Sequence, residues 1–295
     1  MTNRVIAIDG PAGAGKSEVA KGVAKALGMQ VLNTGLLYRA IAWQVDQLGI
    51  PFGDEVACTT IAREIKLGVV VDGIKVNGGK TVSIGMLKTP YVSEGSSIVG
   101  SYAGVREALV SLQRQAVNVH GTVAEGRDMG TVIFPDAFVK IFLTAGRTER
   151  EARVTSAYGA ANAKLSLERD ARDASREVAP LMPAEDAYVI DSTFMDQGEV
   201  IGVIVALYTA RAQQIRTEVW RQANAIVHEL LGDEAEAILI NAPSKGVRGD
   251  APTWEETVMV RHSADLSGDI LAKASDRLTN TILHIGRVTL DVTPP

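Results

Sequence analysis

Within LERDARDASREVAP, residues 167–180, the charged side chains stand at spacings that could do chemistry. On a helix, Arg169, Arg172, Asp173 and Arg176 fall at i, i+3, i+4 and i+7 and share one face. Three guanidiniums there repel one another unless something anionic sits among them. The face is either solvated and laced with ion pairs, as most such runs are, or a clamp for phosphate. A second stretch favours the clamp. Gly10, Pro11, Ala12, Gly13, Ala14, Gly15, Lys16 and Ser17 fit G-x-x-x-x-G-K-[ST] at every fixed position. The glycines let backbone N–H groups turn inward around phosphate oxygens, and a helix starting near Lys16 adds its positive dipole end. Lys16 would reach the β- and γ-phosphates, and Ser17 would ligate Mg²⁺. The plain alternative is a Gly-rich turn that only joins strand to helix.

The neighbouring elements decide between the two. VIAI reads as a buried strand before the loop, and SEVAKGVAKALG as an amphipathic helix closed by Gly28. QVLNTG then suggests a short strand and LLYRAIAWQVDQLG a helix, a βαβ succession that implies a parallel sheet with covering helices. In IKLGVVVDGIKVNGGKTVSI the period changes to that of strands, punctuated by Asp72-Gly73 and Asn77-Gly78, which favour hairpin turns. Residues 61–90 are therefore read as a small antiparallel insert. A helical pattern spans about 92–119, TVAEGRDMG and FVKIFLTA read as core strands, and AYVIDST as a last buried strand. A long helix is predicted over 198–232. AEAILINAP, ETVMVRH, a helix near 265–280 and HIGRVTLDV then predict an α+β appendage.

Composition sets outer bounds. With 295 residues, 46% of them hydrophobic and 22% charged, the chain is long enough for a full core and a second domain. A net charge of −5 argues against a general nucleic-acid or anionic-membrane binder. Cys58 is the only cysteine, no secretory pattern opens the chain, and the longest apolar run falls short of a bilayer. A cytoplasmic protein is expected, with no nucleic-acid or membrane partner.

The segments IAIDGPAGAGKSEVAKGVAKALG, NTGLLYRAIA, VREAL, EGRDMGTVIFPDAFVKIFLTA and ERDARDASREVAPLMPAEDAYVID together resemble bacterial cytidylate kinase, in that family's order across residues 3–210. Other small P-loop kinases share the phosphate loop but not EGRDMGTVIFPDA. The resemblance implies an α/β P-loop NTPase fold: a parallel five-stranded sheet flanked by helices, a nucleoside-binding insert at 61–90 and a helical lid at 147–180. It implies transfer of the ATP γ-phosphoryl group to CMP or dCMP with Mg²⁺. Carried over residue by residue, it gives Arg39, Arg127 and Arg176 to the acceptor phosphate. Ser97, Arg106 and Asp128 go to the cytosine, and Arg169 and Asp173 to the ribose. Thr34 and Tyr38 join the acceptor site; Arg153 and Arg172 lie towards ATP. Lys16, Arg127, Asp128 and Arg176 form its catalytic set. Ribose hydroxyls and phosphates arriving among the arginines would then relieve their repulsion.

The chemistry agrees with this reading. Phosphoryl transfer asks a protein mainly to position two polyanions and absorb charge. Asp128 can accept from the cytosine N4 amino group, and Arg106 can donate to N3 or O2. Plain structural roles compete at each position: Arg39 snorkelling from its helix, Asp128 capping a turn, Arg106 meeting a surface carboxylate, Ser97 packing between helices. Asp9 reads as a turn residue.

The chain departs from the family at Asn33, where Asp is usual, at Val154, where a second arginine is usual, and in a shorter lid. Residues 211–295 lie outside the resemblance. From Ala212 on, 8 Lys and Arg face 12 Asp and Glu, which speaks against a nucleic-acid arm. His228, His262 and His284 are too scattered for a metal site, and Trp220 and Trp254 read as packing residues. This extension is expected to mediate self-association or bind a protein partner. Two other readings compete with an active kinase: a catalytically decayed nucleotide-binding protein that works through its extension, and a kinase for another small acceptor.

Overall fold

Val5–Asp9 (β1) is buried along its whole length, as a central parallel strand must be. The phosphate loop follows it and leads into α1 (Lys16–Leu27), which Gly28 ends in the left-handed conformation at φ 67°. β2 (Gln30–Asn33) and α2 (Gly35–Gln47) complete the first βαβ passage. The computed structural model describes residues 4–70, 72–118, 120–248, 251–262, 268–282 and 285–291. They fall into two compact units, 4–205 and 206 onward.

The insert begins after α3 (Glu55–Glu64), whose start Asp54 caps by accepting the Ala57 N–H. β3 (Leu67–Val70), β4 (Gly73–Val76) and β5 (Thr81–Ser83) form an antiparallel sheet in sequence order. Asn77 and Gly78 both take positive φ, 50° and 72°, as the hairpin reading requires. α4 (Ile84–Leu87) returns the chain, and Ile74, Val82 and Leu87 pack against Leu37 and Ile41 of α2. The helical pattern over about 92–119 resolves into two helices, α5 (Pro90–Val99) and α6 (Ala103–Gln115), parted at Gly100–Tyr102.

β6 (Thr122–Gly126) ends at the glycine of the EGRD run, and Met129–Ile133 is a one-turn π-helix, where the sequence suggested strand through RDMG. Next come β7 (Val139–Thr144), α7 (Arg147–Tyr158) and α8 (Ala160–Ala174), then β8 (Tyr188–Asp191). The main sheet is parallel with order β2-β6-β1-β7-β8. β8 was expected to be buried. As an edge strand it buries Ile190 and leaves Tyr188 and Val189 more than half exposed.

α9 (Gln197–Leu231) leads into the second unit. That unit holds β9 (Glu236–Arg248), β10 (Ala251–Arg261), α10 (Gly268–Thr281) and β11 (Ile285–Asp291). Its sheet has order β11-β10-β9, antiparallel on the β9 side and parallel on the β11 side. Val219, Ala223 and Val227 of α9 close a core with Val258, Val260, Leu278 and Ile285. Trp220 is nearly half exposed, so it packs less than expected. The Trp254 side chain and His284 lie outside the described residues. Among those residues no group of three or more His, Cys, Asp or Glu could hold a metal, and no helix is long and apolar enough to cross a membrane.

Candidate active site

The loop between β1 and α1 is shaped by positive φ at Gly13 (75°) and Gly15 (93°). Gly13 also admits a close approach, since a Cβ there would lie 2.6 Å from the Arg150 carbonyl oxygen on α7. Lys16 turns its ammonium back into the loop and donates to the Pro11 carbonyl at 2.7 Å. Burial, reinforced by Arg127, pulls its pKa down to about 7. Ser17 Oγ donates to Glu125 Oε2 at 2.8 Å, and Asn33 Nδ2 donates to Glu125 Oε1 at 2.6 Å. Glu125, at the end of β6, is thus a buried carboxylate whose two oxygens meet neutral donors. Burial raises its pKa. The Asn33 departure has a local reason: an aspartate there would set a second carboxylate against Glu125.

α8 and the residues just beyond it supply the guanidiniums. The helix ends at Ala174, so Arg176 lies past it rather than on its face, yet still pairs with Asp173. Asp173 is fully buried. Arg127 Nε stands 3.1 Å from it, Arg169 Nε 3.8 Å, and Ser97 Oγ donates to it at 3.4 Å. Repulsion between the arginines is therefore relieved from within the protein, before any ligand is considered. Burial, with Arg127 and Arg39 nearby, still pulls Arg169 down to about 9. Arg39 is lowered by burial and Arg127.

Beyond Arg39 the site ends in a polar pocket. Arg106 and Asp128 form a buried ion pair, and Arg106 Nη1 donates to the Gly100 carbonyl at 2.8 Å. The Arg106 guanidinium lies 5.4 Å from the centre of the Tyr38 ring. Burial pushes the Tyr38 hydroxyl up to about 12. Thr34 spends its hydroxyl on the Glu125 carbonyl at 2.9 Å.

One cavity of about 580 Å³ joins these features, the size of a small-ligand site. It gathers Lys16, Ser17, Thr34, Tyr38, Arg39, Arg106, Arg127, Asp128, Arg153, Arg169 and Arg176. Ser97 and Asp173 stand behind its wall. Arg172, expected towards ATP, instead donates to Glu94 of α5 at 2.8 Å. Arg153 binds Ser192 through Nη1 (3.1 Å) and Nη2 (2.8 Å), and the Val154 that follows it is buried. Sequence reasoning missed Glu125, Arg150 and Asp170. The Ala12 N–H donates to both Asp170 oxygens at 3.0 Å, and Arg150 Nη1 reaches Oδ2 at 2.7 Å and the Ala12 carbonyl at 3.1 Å. A signal existed for Arg150, which shares a three-residue spacing with Arg147 and Arg153 on α7.

Comparison with known proteins places the sequence in one family. The cytidylate kinase family model matches residues 6–210. A cytidylate kinase of Desulfitobacterium hafniense is 39% identical over 227 residues, covering 72% of this chain and 95% of that protein. One from Desulforamulus reducens is 39% identical over 219 residues, covering 69% and 96%. A bifunctional pantoate ligase/cytidylate kinase of a Synechococcus strain is 42% identical over 219 residues, although the match takes in only 40% of that longer protein. With a match over residues 6–210, which include every residue lining the cavity, the chain belongs to the cytidylate kinase family.

Proposed function

We propose that this nucleoside monophosphate kinase, which acts on CMP with ATP as donor, works by in-line transfer with Mg²⁺ in the cavity of the 4–205 unit. An oxygen of the acceptor phosphate bonds to the γ-phosphorus as the bond to the β-phosphate oxygen breaks, giving ADP and CDP or dCDP. One observation carries the reading. The Nε atoms of Arg39, Arg169 and Arg176 are buried without a hydrogen-bond partner. Unpaired buried donors are costly, and phosphate oxygens would satisfy them while the guanidiniums absorb charge. Arg127, Arg39 and Arg176 would hold the acceptor phosphate, Arg169 and Asp173 would serve the ribose side, and Arg106 with Asp128 would read the cytosine edge. Ser17 Oγ and the Glu125 carboxylate, both hard oxygen donors, would hold Mg²⁺, which would supply positive charge against the charge that develops on the phosphates. The α7–α8 pair is assigned the role of lid.

The 206–295 unit is assigned to self-association or protein binding. Its own core and the two strands that end its sheet, β9 and β11, with no further strand paired to them among the described residues, support this. A reducing, cytoplasmic setting suits Cys58, which is buried and free. The test of the reaction is ADP release from MgATP against CMP, dCMP, UMP, AMP, GMP and shikimate. Turnover of roughly 1–100 s⁻¹ with CMP and dCMP is expected. No turnover despite ATP binding would favour the decayed binder, which nothing in the assembled cavity now supports.

A further inference from the structure

Asp170 stands out because it occupies donors that a phosphoryl group would need. Its carboxylate accepts the Ala12 N–H with both oxygens at 3.0 Å, so a side chain of α8 sits at the phosphate loop. Arg150 Nη1 meets it at 2.7 Å and Arg127 Nη2 at 3.0 Å. The same two arginines brace the loop, Arg127 on the Gly10 carbonyl at 2.6 Å and Arg150 on the Ala12 carbonyl at 3.1 Å. A carboxylate held by one loop N–H and two guanidiniums has the recognition chemistry of a terminal phosphate. Ala12 lies early in the loop, four residues ahead of Lys16, and Asp170 meets its N–H from outside the loop.

We propose that Asp170 is a donor-site residue that competes with the γ-phosphoryl group of ATP for the Ala12 N–H, Arg150 and Arg127, the last of which would face donor and acceptor phosphates alike, and so sets the protein's preference between ATP and ADP. A nucleotide carrying a γ-phosphate must displace Asp170; one ending at the β-phosphate need not. The competition lowers the apparent affinity for ATP by the fraction of molecules in which Asp170 holds the three donors. It leaves ADP bound nearly as well, which narrows the gap between substrate and product. The inference rests on the phosphate loop being the ATP site.

The experiment is calorimetric titration of the full chain, wild type and Asp170→Asn, with MgATP and with MgADP. Asparagine keeps the shape and removes the charge. Expected is a tightening for MgATP of about tenfold, for a carboxylate that holds the donors about nine-tenths of the time, with MgADP changed by less than about twofold. Asp170→Glu, which retains the carboxylate, should stay near the wild-type ratio, and Asp170→Ser serves if the asparagine variant does not fold. An unchanged ATP:ADP ratio, or weaker ATP binding, would overturn the competition and leave Asp170 a positioning residue for Arg127 and Arg150. A wild-type protein binding neither nucleotide would instead overturn the donor site itself.

Discussion

Lys16 carries a consequence for proton balance. In the protein its ammonium is withdrawn into the loop, and burial, then Arg127, lowers its pKa from 10.5 to about 7. At pH 8 most molecules therefore hold it neutral. Phosphates beside it favour the charged form, so MgATP binding at that pH should take up a proton. Titrations in two buffers should give apparent binding enthalpies that differ by about 0.5–0.9 times the difference between the buffers' ionisation enthalpies. Identical enthalpies would show that Lys16 is already charged. The unfolded chain carries an ordinary lysine and binds more protons between about pH 7 and 10.5, so this residue's contribution to stability rises with pH across that window. Asp128 supports a second expectation. Paired with Arg106 in a buried pocket, it would accept from the cytosine N4 amino group, a donor that uracil lacks. Asp128→Asn should reduce the ratio of kcat/KM for CMP over UMP by about tenfold or more, since each mismatched buried group costs about 1–3 kcal/mol. A preserved ratio would remove Asp128 from base reading.

The element that places Arg127 and Asp128 is the π-helical turn at Met129–Ile133, and Asp9 holds its start. The Asp9 carboxylate, at the end of β1, accepts the Met129 and Gly130 N–H groups at 2.8 Å each. Burial nevertheless raises its pKa to about 6. The folded protein therefore binds more protons than the unfolded chain between about pH 3.8 and 6, and Asp9's contribution to stability falls as pH rises through that window. Asp9→Ala would strand two buried N–H groups, at about 1–3 kcal/mol. A lower urea midpoint is expected together with a raised KM for CMP; an unaltered KM would separate the turn from the acceptor site. The sequence named Asp9 as a turn residue but not this turn, because one π-turn has no periodicity and RDMG continues a strand-like run. The phosphate loop and the Asn77-Gly78 hairpin were legible because local backbone chemistry determines them. The partners of Arg172, Arg150 and Asp170 were not, because Arg172 meets Glu94 across 78 positions and Asp170 meets Ala12 across 158. Spacing along a helix fixes which side chains share a face, and only tertiary packing fixes what that face meets.

For the molecule as a whole, the two units answer different questions. Every residue lining the cavity lies between Ala12 and Arg176, within the 4–205 unit. The second unit's core gathers α9 from Ile215 onward with that unit's own sheet and helix. A chain ending at residue 210 keeps every residue that lines the cavity and should keep kcat/KM for CMP within about threefold. Its solution mass decides the role of the extension. β9 runs 13 residues along an edge of its sheet, and an edge of that length is a template for another strand. If the unit self-associates by that route, light scattering should give a multiple of 31.3 kDa for the full chain and a single-chain mass for the shortened one. A proline at Ile240, paired with Thr257 in the middle of the β9–β10 ladder, would disrupt the sheet itself, so the edge is better probed by lysines placed along β9. Loss of the larger species with activity intact would locate association at that edge. A full chain of single-chain mass would instead leave binding of a different protein as the role of residues 206–295.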